Sequence, residues 1–137
     1  MEIIVCLDDR NGMLFNHRRQ SRDRRVIEDI LEDSKGRRLL ISSFSTVLFE
    51  GKLQDVIVDD RLLFCAGDND LCFIENIPLH PFEEKIGALV VYRWNRVYPA
   101  DVSFDIDLNH GWKIKDTKEF SGYSHEKIYY MIRESLL

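Results

Sequence analysis

The sequence predicts an α/β fold: a central mixed, mostly parallel sheet with flanking helices. In the first half of the chain, short β-branched apolar runs alternate with helix-like segments, as parallel strands joined by crossovers require. Late in the chain two strand candidates follow one another with no helix between them, which adds an antiparallel edge to the sheet. The 137 residues, 45% of them hydrophobic, suffice for one core and are too few for two, so residues 1–137 read as a single domain.

The elements follow in order. "EIIVCL" is a continuous apolar run ending at Asp8-Asp9, so Glu2 to Leu7 is expected to be an interior strand buried on both faces. "DDRNGMLFN" supplies a turn, with Asn11-Gly12 as its sharpest point. Ser21 is the expected cap of a helix over "RDRRVIEDILEDSK", where Val26, Ile27, Ile30 and Leu31 form an apolar stripe and Gly36 offers the stop. "RRLLIS" reads as a strand, "SFSTVLFEG" as a short helix closed by Gly51, and "DVIVDD" as another strand. "RLLFCAGDNDLCFIEN" repeats the helix and strand, and "KIGALVVYRWNRVYPA" is a long strand. The closing "SHEKIYYMIRES" fits either period: Ile128, Tyr130 and Ile132 alternate as on a strand, whereas Ile128, Met131 and Ile132 suit a helix.

Charge and composition narrow the function classes. With 19 basic against 24 acidic side chains the formal net charge is -5, which argues against wrapping nucleic acid or binding an anionic membrane but leaves room for a local basic patch. Cys6, Cys65 and Cys72 lie in apolar runs at irregular spacing, so buried, reduced thiols are expected. The start "MEIIVCLDD" has no basic leader and no apolar run approaches a membrane span, which points to the cytoplasm. His17, His80, His110 and His125 are scattered, and Asp101, Asp105 and Asp107 have no histidine cluster beside them, so no metal site is expected.

One stretch stands out against the acidic whole. Residues 11–25, "NGMLFNHRRQSRDRR", hold Arg18, Arg19, Arg22, Arg24 and Arg25 and no lysine. Guanidinium forks suit carboxylates and phosphates; equally, Arg24 to Glu28 and Arg25 to Asp29 have the spacing of ion pairs along a helix, and a protein partner is a third use. His17, among like charges, is discouraged from protonating and suits a neutral ligand or base, or is an ordinary loop residue. "VVYRWNRVYP" interleaves Tyr92, Trp94 and Tyr98 with Arg93 and Arg96, a pattern that stacks bases or presents one aromatic face to a core or a homodimer interface.

Taken in order, these segments resemble the dihydrofolate reductase fold family over most of the chain. The family's first strand leads into a loop of the type N-G-I-G-x-N-G-x-L-P-W, and "DDRNGMLFNHRRQ" keeps Asn11, Gly12, Met13 and Asn16 at matching places. Asp23 falls at about the position of the carboxylate that contacts the pterin ring, which implies a catalytic role; a helix cap is the competing reading. Near the end, "YPADVSFDIDLNHGWKI" reproduces the rhythm of the family's G-D-T-x-F-P-x-I-D segment and tryptophan through Asp101, Phe104, Ile106, Asp107 and Trp112. A looser likeness to short chains under the label ribonuclease Z lacks that enzyme's H-x-H-x-D-H zinc motif.

The departures carry the functional expectation. The family's M-G-R-K-T, whose arginine and threonine hold the cofactor's phosphates, is replaced by "ISSFST". Ser43 and Phe44 stand at the basic pair, and Ser43 and Ser45 offer a phosphate hydroxyls without charge. Glu75-Asn76 replace the glycine pair where the pyrophosphate approaches the backbone, and Arg18-Arg19-Gln20 replace the L-P-W that shapes the pterin pocket. These changes imply a divergent, non-reductase member without cofactor. Its expected ligand is an anionic small molecule or nucleotide, bound by Asn16, His17, Arg18, Arg19, Arg22, Ser43 and Ser45. Arg18 and Arg19, as loop residues, are expected to contribute little to stability. The alternatives are a residual NADPH-dependent reductase of a pterin-like substrate and a non-enzymatic protein-interaction module.

Overall fold

The computed structural model describes residues 1–136. Its strands are β1 (Glu2–Leu7), β2 (Gly12–Phe15), β3 (Arg18–Arg19), β4 (Leu39–Ile41), β5 (Ile57–Val58), β6 (Leu71–Phe73), β7 (Ala88–Arg93), β8 (Val102–Ser103), β9 (Trp112–Phe120) and β10 (Ile128–Ser135). Two α-helices, α1 (Arg24–Asp33) and α2 (Leu62–Cys65), and the 3₁₀ segments Ser43–Phe49, Leu53–Asp55 and His80–Lys85 fill the connections. The main sheet runs β5-β4-β6-β1-β7-β10-β9, and a small antiparallel sheet runs β3-β2-β8. β1 lies between β6 and β7, parallel to both, so the interior strand expected at Glu2 to Leu7 is in place. The closing segment is a strand, paired antiparallel with β7 and β9.

Alternation along β1 divides the core. Ile3, Val5 and Leu7 face one layer with Leu89, Val91, Phe104, Ile106 and Leu108, while Ile4 faces the other with Val90, Tyr92, Trp94 and Phe73. Val26, Ile27 and Ile30 of α1 cover the second layer, as their spacing requires. The cap is Asp23, not Ser21: Asp23 has extended backbone and accepts from the Arg25 N–H at 2.9 Å. The helix ends at Ser34 rather than at Gly36, which lies in the following turn with φ of 82°. Tyr92 and Trp94 are buried, so the aromatic run is core and offers no stacking platform. Cys72 is buried but Cys65 is exposed: it ends the single turn of α2 on the outer side of the Leu62-Leu63 contact with the core.

The arginine knot is dispersed by this fold. Arg18 and Arg19 form β3, joined to β2 by Asn16 and His17, both left-handed, with φ of 52° and 61°. This is the twist of a two-residue hairpin turn, which asparagine and histidine adopt more readily than most residues other than glycine. Arg24 lies over the Tyr123 ring and Arg25 over Phe120. The expected Arg24 to Glu28 and Arg25 to Asp29 pairs do not form: Arg25 reaches Glu28 at 3.8 Å, and Asp29 instead accepts from Tyr92 and Lys118. Packing on aromatic rings drew both guanidiniums off the helix axis.

Candidate functional site

The C-terminal ends of β1 and β6 open into a cleft bounded by the β2–β3 hairpin, the start of α1 and the 3₁₀ segment Ser43–Phe49. Its floor is a buried polar cluster. The Asp23 side chain has no exposure and His125 only 3%. The carboxylate accepts from the backbone N–H groups of Arg25, Tyr123 and Ser124, the Ser124 hydroxyl and His125 Nδ1 at 3.0 Å. Burial opposes the charge on Asp23, but the donors outweigh it and hold its pKa well below the carboxylate range. With Nδ1–H given to Asp23, His125 Nε2 faces the hydroxyls of Ser21 at 2.9 Å and Tyr98 at 3.2 Å. Trp94 stacks on the imidazole, centroids 4.7 Å apart.

Hydroxyl, imidazole and carboxylate thus stand in the order of a nucleophilic relay. The void beside them, however, is about 20 Å³, room for a water and little more. Two features close it. The loop between β9 and β10 lies directly on Asp23, because a methyl group on Gly122 would overlap the Asp23 carboxylate. On the other side Arg19 spans the cleft: its Nε and Nη2 donate to Glu75 Oε2 and Oε1, each at 2.9 Å, Nη2 also reaches the Phe44 carbonyl, and the Ser45 hydroxyl donates to Glu75 at 2.8 Å. The pair is mostly buried, with side-chain exposures of 19% and 10%, and the guanidinium lies over the Phe44 ring.

Beyond this latch an outer groove of about 500 Å³ stays open, with Met13, Leu14, Phe44, Ile77 and Pro78 as apolar walls and His17, Asn76 and Ser103 as polar edge; Glu75, paired with Arg19, and Asp105, which accepts from the Leu79 and His80 N–H groups, also line it. The expected ligand residues are therefore divided. Asn16, His17 and Arg18 are exposed at the hairpin tip, and of the three His17 lines the outer groove. The Asn16 N–H donates to Asp101. Arg19 and Ser45 are committed to Glu75, which contradicts the expectation that Arg19 matters little for stability. Ser43 is exposed and gives its N–H and hydroxyl to Asp60. Arg22 opens on a separate groove of about 300 Å³ with Arg24 and Lys52, and Asp23 is both cap and floor. Among the described residues the side chains of Arg18 and Arg22 have no ion-pair partner.

Sequence reasoning missed His125, which reaches Asp23 from 102 residues away and Ser21 from 104, and Tyr98, which reaches Ser21 from 77. It also placed Glu75 as a repulsive charge without finding its partner. No spacing rule joins such distant positions; the one available signal was an excess of small and polar residues, "SGYSH", in a strand-to-strand turn. Asp101, Asp105 and Asp107 are occupied separately, by Asn16, by Leu79 and His80, and by Asn109 and His110. Among the described residues no group of three His, Cys, Asp or Glu could hold a metal ion.

The resemblance sets the phosphates of the alternative's NADPH at Ser43 and at Glu75-Asn76, and in this structure a carboxylate stands at each. At the first, Ser43 already carries the Asp60 carboxylate. At the second, the Glu75 side chain occupies the space that the absence of a side chain would free.

No protein-family model matches the chain, and no curated protein matches its sequence. Among solved structures it is similar to the dihydrofolate reductase from Enterococcus faecalis complexed with NADP(H) and RAB-propyl. The TM-score is 0.68 at 12% identity, over 99% of this chain and 96% of that one. The chain has the dihydrofolate reductase fold. The looser likeness to ribonuclease Z finds no support in these comparisons.

Proposed function

We propose that this protein uses the dihydrofolate reductase fold to bind an anionic small molecule or nucleotide in the outer groove, under the tip of the arginine-rich hairpin. The observation that carries this reading is the division of the cleft by the Arg19–Glu75 pair. The inner void beside Asp23 is too small for a ring, whereas the outer groove lies within the range of small-molecule sites, roughly 300–1,000 Å³. An apolar wall with a few polar groups at its edge suits a planar body carrying a charge. Arg18, exposed and unpaired at the hairpin tip, supplies the cation.

His17 supports the same assignment. It lines the groove, and a histidine held at positive φ costs about 1 kcal/mol against glycine, so the side chain is kept there at some cost in stability. NADPH-dependent reduction of a pterin-like substrate is the second reading, suggested by the NADP(H) of the structural neighbour; the groups at Ser43 and Glu75 oppose it.

The test is a thermal-shift screen of nucleotides, nucleoside phosphates and aromatic carboxylates at low and high ionic strength. Wild type is expected to be stabilised by at least one class, less so as salt screens exposed charge. Arg18→Ala should remove that response without lowering the melting temperature in plain buffer. His17→Gly should weaken the response while raising the melting temperature, by about 0.5–1 kcal/mol of stability. An unaltered response in both variants would reject the hairpin as a ligand site.

A further inference from the structure

Arg93 belongs to the aromatic and arginine run of β7, and neither the cleft nor the hairpin uses it. On the face opposite α1, ladder register brings Val91 and Arg93 of β7 beside Met131 and Tyr129 of β10, with Thr117 of β9 beyond. Arg133 stands opposite Leu89 on the same face. Arg93 and Arg133 therefore sit four residues apart along the ladder, roughly 13 Å of strand, with Val91 and Met131 between them. All of these except Leu89 line an open groove of about 470 Å³.

What marks the groove is missing compensation. Among the described residues neither arginine has a carboxylate partner. Arg93 donates to the Asp8 carbonyl at 3.0 Å and Arg133 to the Leu108 carbonyl at 2.9 Å, contacts that aim the guanidiniums without neutralising them. The Asp8 carboxylate is turned away onto Arg10, Gly12, Gln20 and Tyr98. Glu119, at the groove's rim, reaches Lys127. The Nε of Arg133 is buried with no hydrogen-bond partner, an expensive state for a cation. Burial and then the nearby charge of Arg133 push the Arg93 pKa down, only partly offset by Asp9 and Asp8. Two half-buried like charges over one apolar floor, neither compensated by a carboxylate, are the complement of a ligand with two negative charges.

We propose that Arg93 and Arg133 form a binding site for a small polyanion of the diphosphate class on the open face of the β7–β10–β9 ladder, separate from the cleft. Each fork takes one phosphoryl group, and the hydroxyls of Thr117 and Tyr129 lie along the same groove. Inorganic pyrophosphate is the minimal probe, and orthophosphate, with a single phosphoryl group, is the control.

Calorimetric titration at low ionic strength is expected to show pyrophosphate binding more tightly than orthophosphate. Arg93→Met and Arg133→Met should each weaken it by about tenfold to a hundredfold, the loss of one charge-assisted fork. Arg133→Lys keeps the charge without the fork and should fall between. Arg96→Met removes an exposed arginine that lines neither groove and should leave pyrophosphate affinity unchanged. Equal affinity in wild type and the Arg93 and Arg133 Met variants, absence of binding to wild type, or an equal loss of binding in Arg96→Met would each overturn the proposal. If Arg93→Met does not fold, Arg133→Met and Arg133→Lys decide alone.

Discussion

Asp23 and Arg19 were both expected at a ligand, and both are spent on closing the cleft. Asp23 answers five donors with one buried carboxylate, so its stabilisation depends on ionisation. Because the folded pKa lies below the unfolded value of 3.8, this contribution is complete above that value and is lost as pH falls through the range beneath it. Wild type should therefore lose melting temperature more steeply below about pH 4 than Asp23→Asn, which in turn should be less stable at neutral pH by about 3 kcal/mol. Parallel acid titration curves for the two proteins would disprove the role given to this carboxylate. For Arg19 the expectation is non-additivity. Arg19→Leu leaves the Glu75 carboxylate buried and unpaired and should cost about 3 kcal/mol. Adding Glu75→Leu should return much of that stability, and urea melts of the four proteins of the cycle measure the coupling directly.

At the level of elements, the hairpin of β9 and β10 does two things at once. Its strands extend the sheet past β7, and its turn lays Gly122 on Asp23 and His125 under Trp94. The turn needs a residue without a side chain because the carboxylate is already in van der Waals contact with the backbone. Gly122→Ala is expected to lift the turn and destabilise the protein by about 1–3 kcal/mol, the usual range for overpacking. It should also speed hydrogen exchange of the Tyr123 and Ser124 amides specifically, since both donate to Asp23. An exchange pattern unchanged at these two amides would show that the turn is not held by the carboxylate. The β2–β3 hairpin is the counterpart on the other side of the cleft, with Arg19 at its base and a strained His17 at its tip.

For the molecule as a whole, fold and chemistry separate. The chain has the dihydrofolate reductase fold, yet a fold does not carry its reaction with it. With the inner cavity near 20 Å³ and carboxylates at both phosphate positions, no saturable loss of NADPH absorbance is expected on adding dihydrofolate. Steady turnover proportional to enzyme, absent in Asp23→Asn, would restore the reductase reading. The net charge of -5 makes the protein as a whole repel anions, so anion binding must come from local arrays of arginine and should respond steeply to salt.

Local pattern alone determined the class of fold, the interior position of "EIIVCL" and the apolar stripe of α1, and left the closing segment open between strand and helix. These depend on side-chain period and run length, which lie within a few neighbouring residues. It also identified the segments that matter, the arginine-rich loop and the departures at Ser43 and Glu75. The destination of each charge was decided only by tertiary structure. Arg19 finds Glu75 across 56 residues, Asp23 finds His125 across 102, and strand register sets Arg93 and Arg133 on one face of the sheet. A charged side chain is long and can satisfy itself on any partner within reach, so its role follows from which distant backbone the sheet brings beside it. The same five arginines could read equally well as helix ion pairs, a latch or a ligand site until the fold assigned Arg19 to Glu75, Arg24 and Arg25 to aromatic rings, and left Arg18 and Arg22 to solvent.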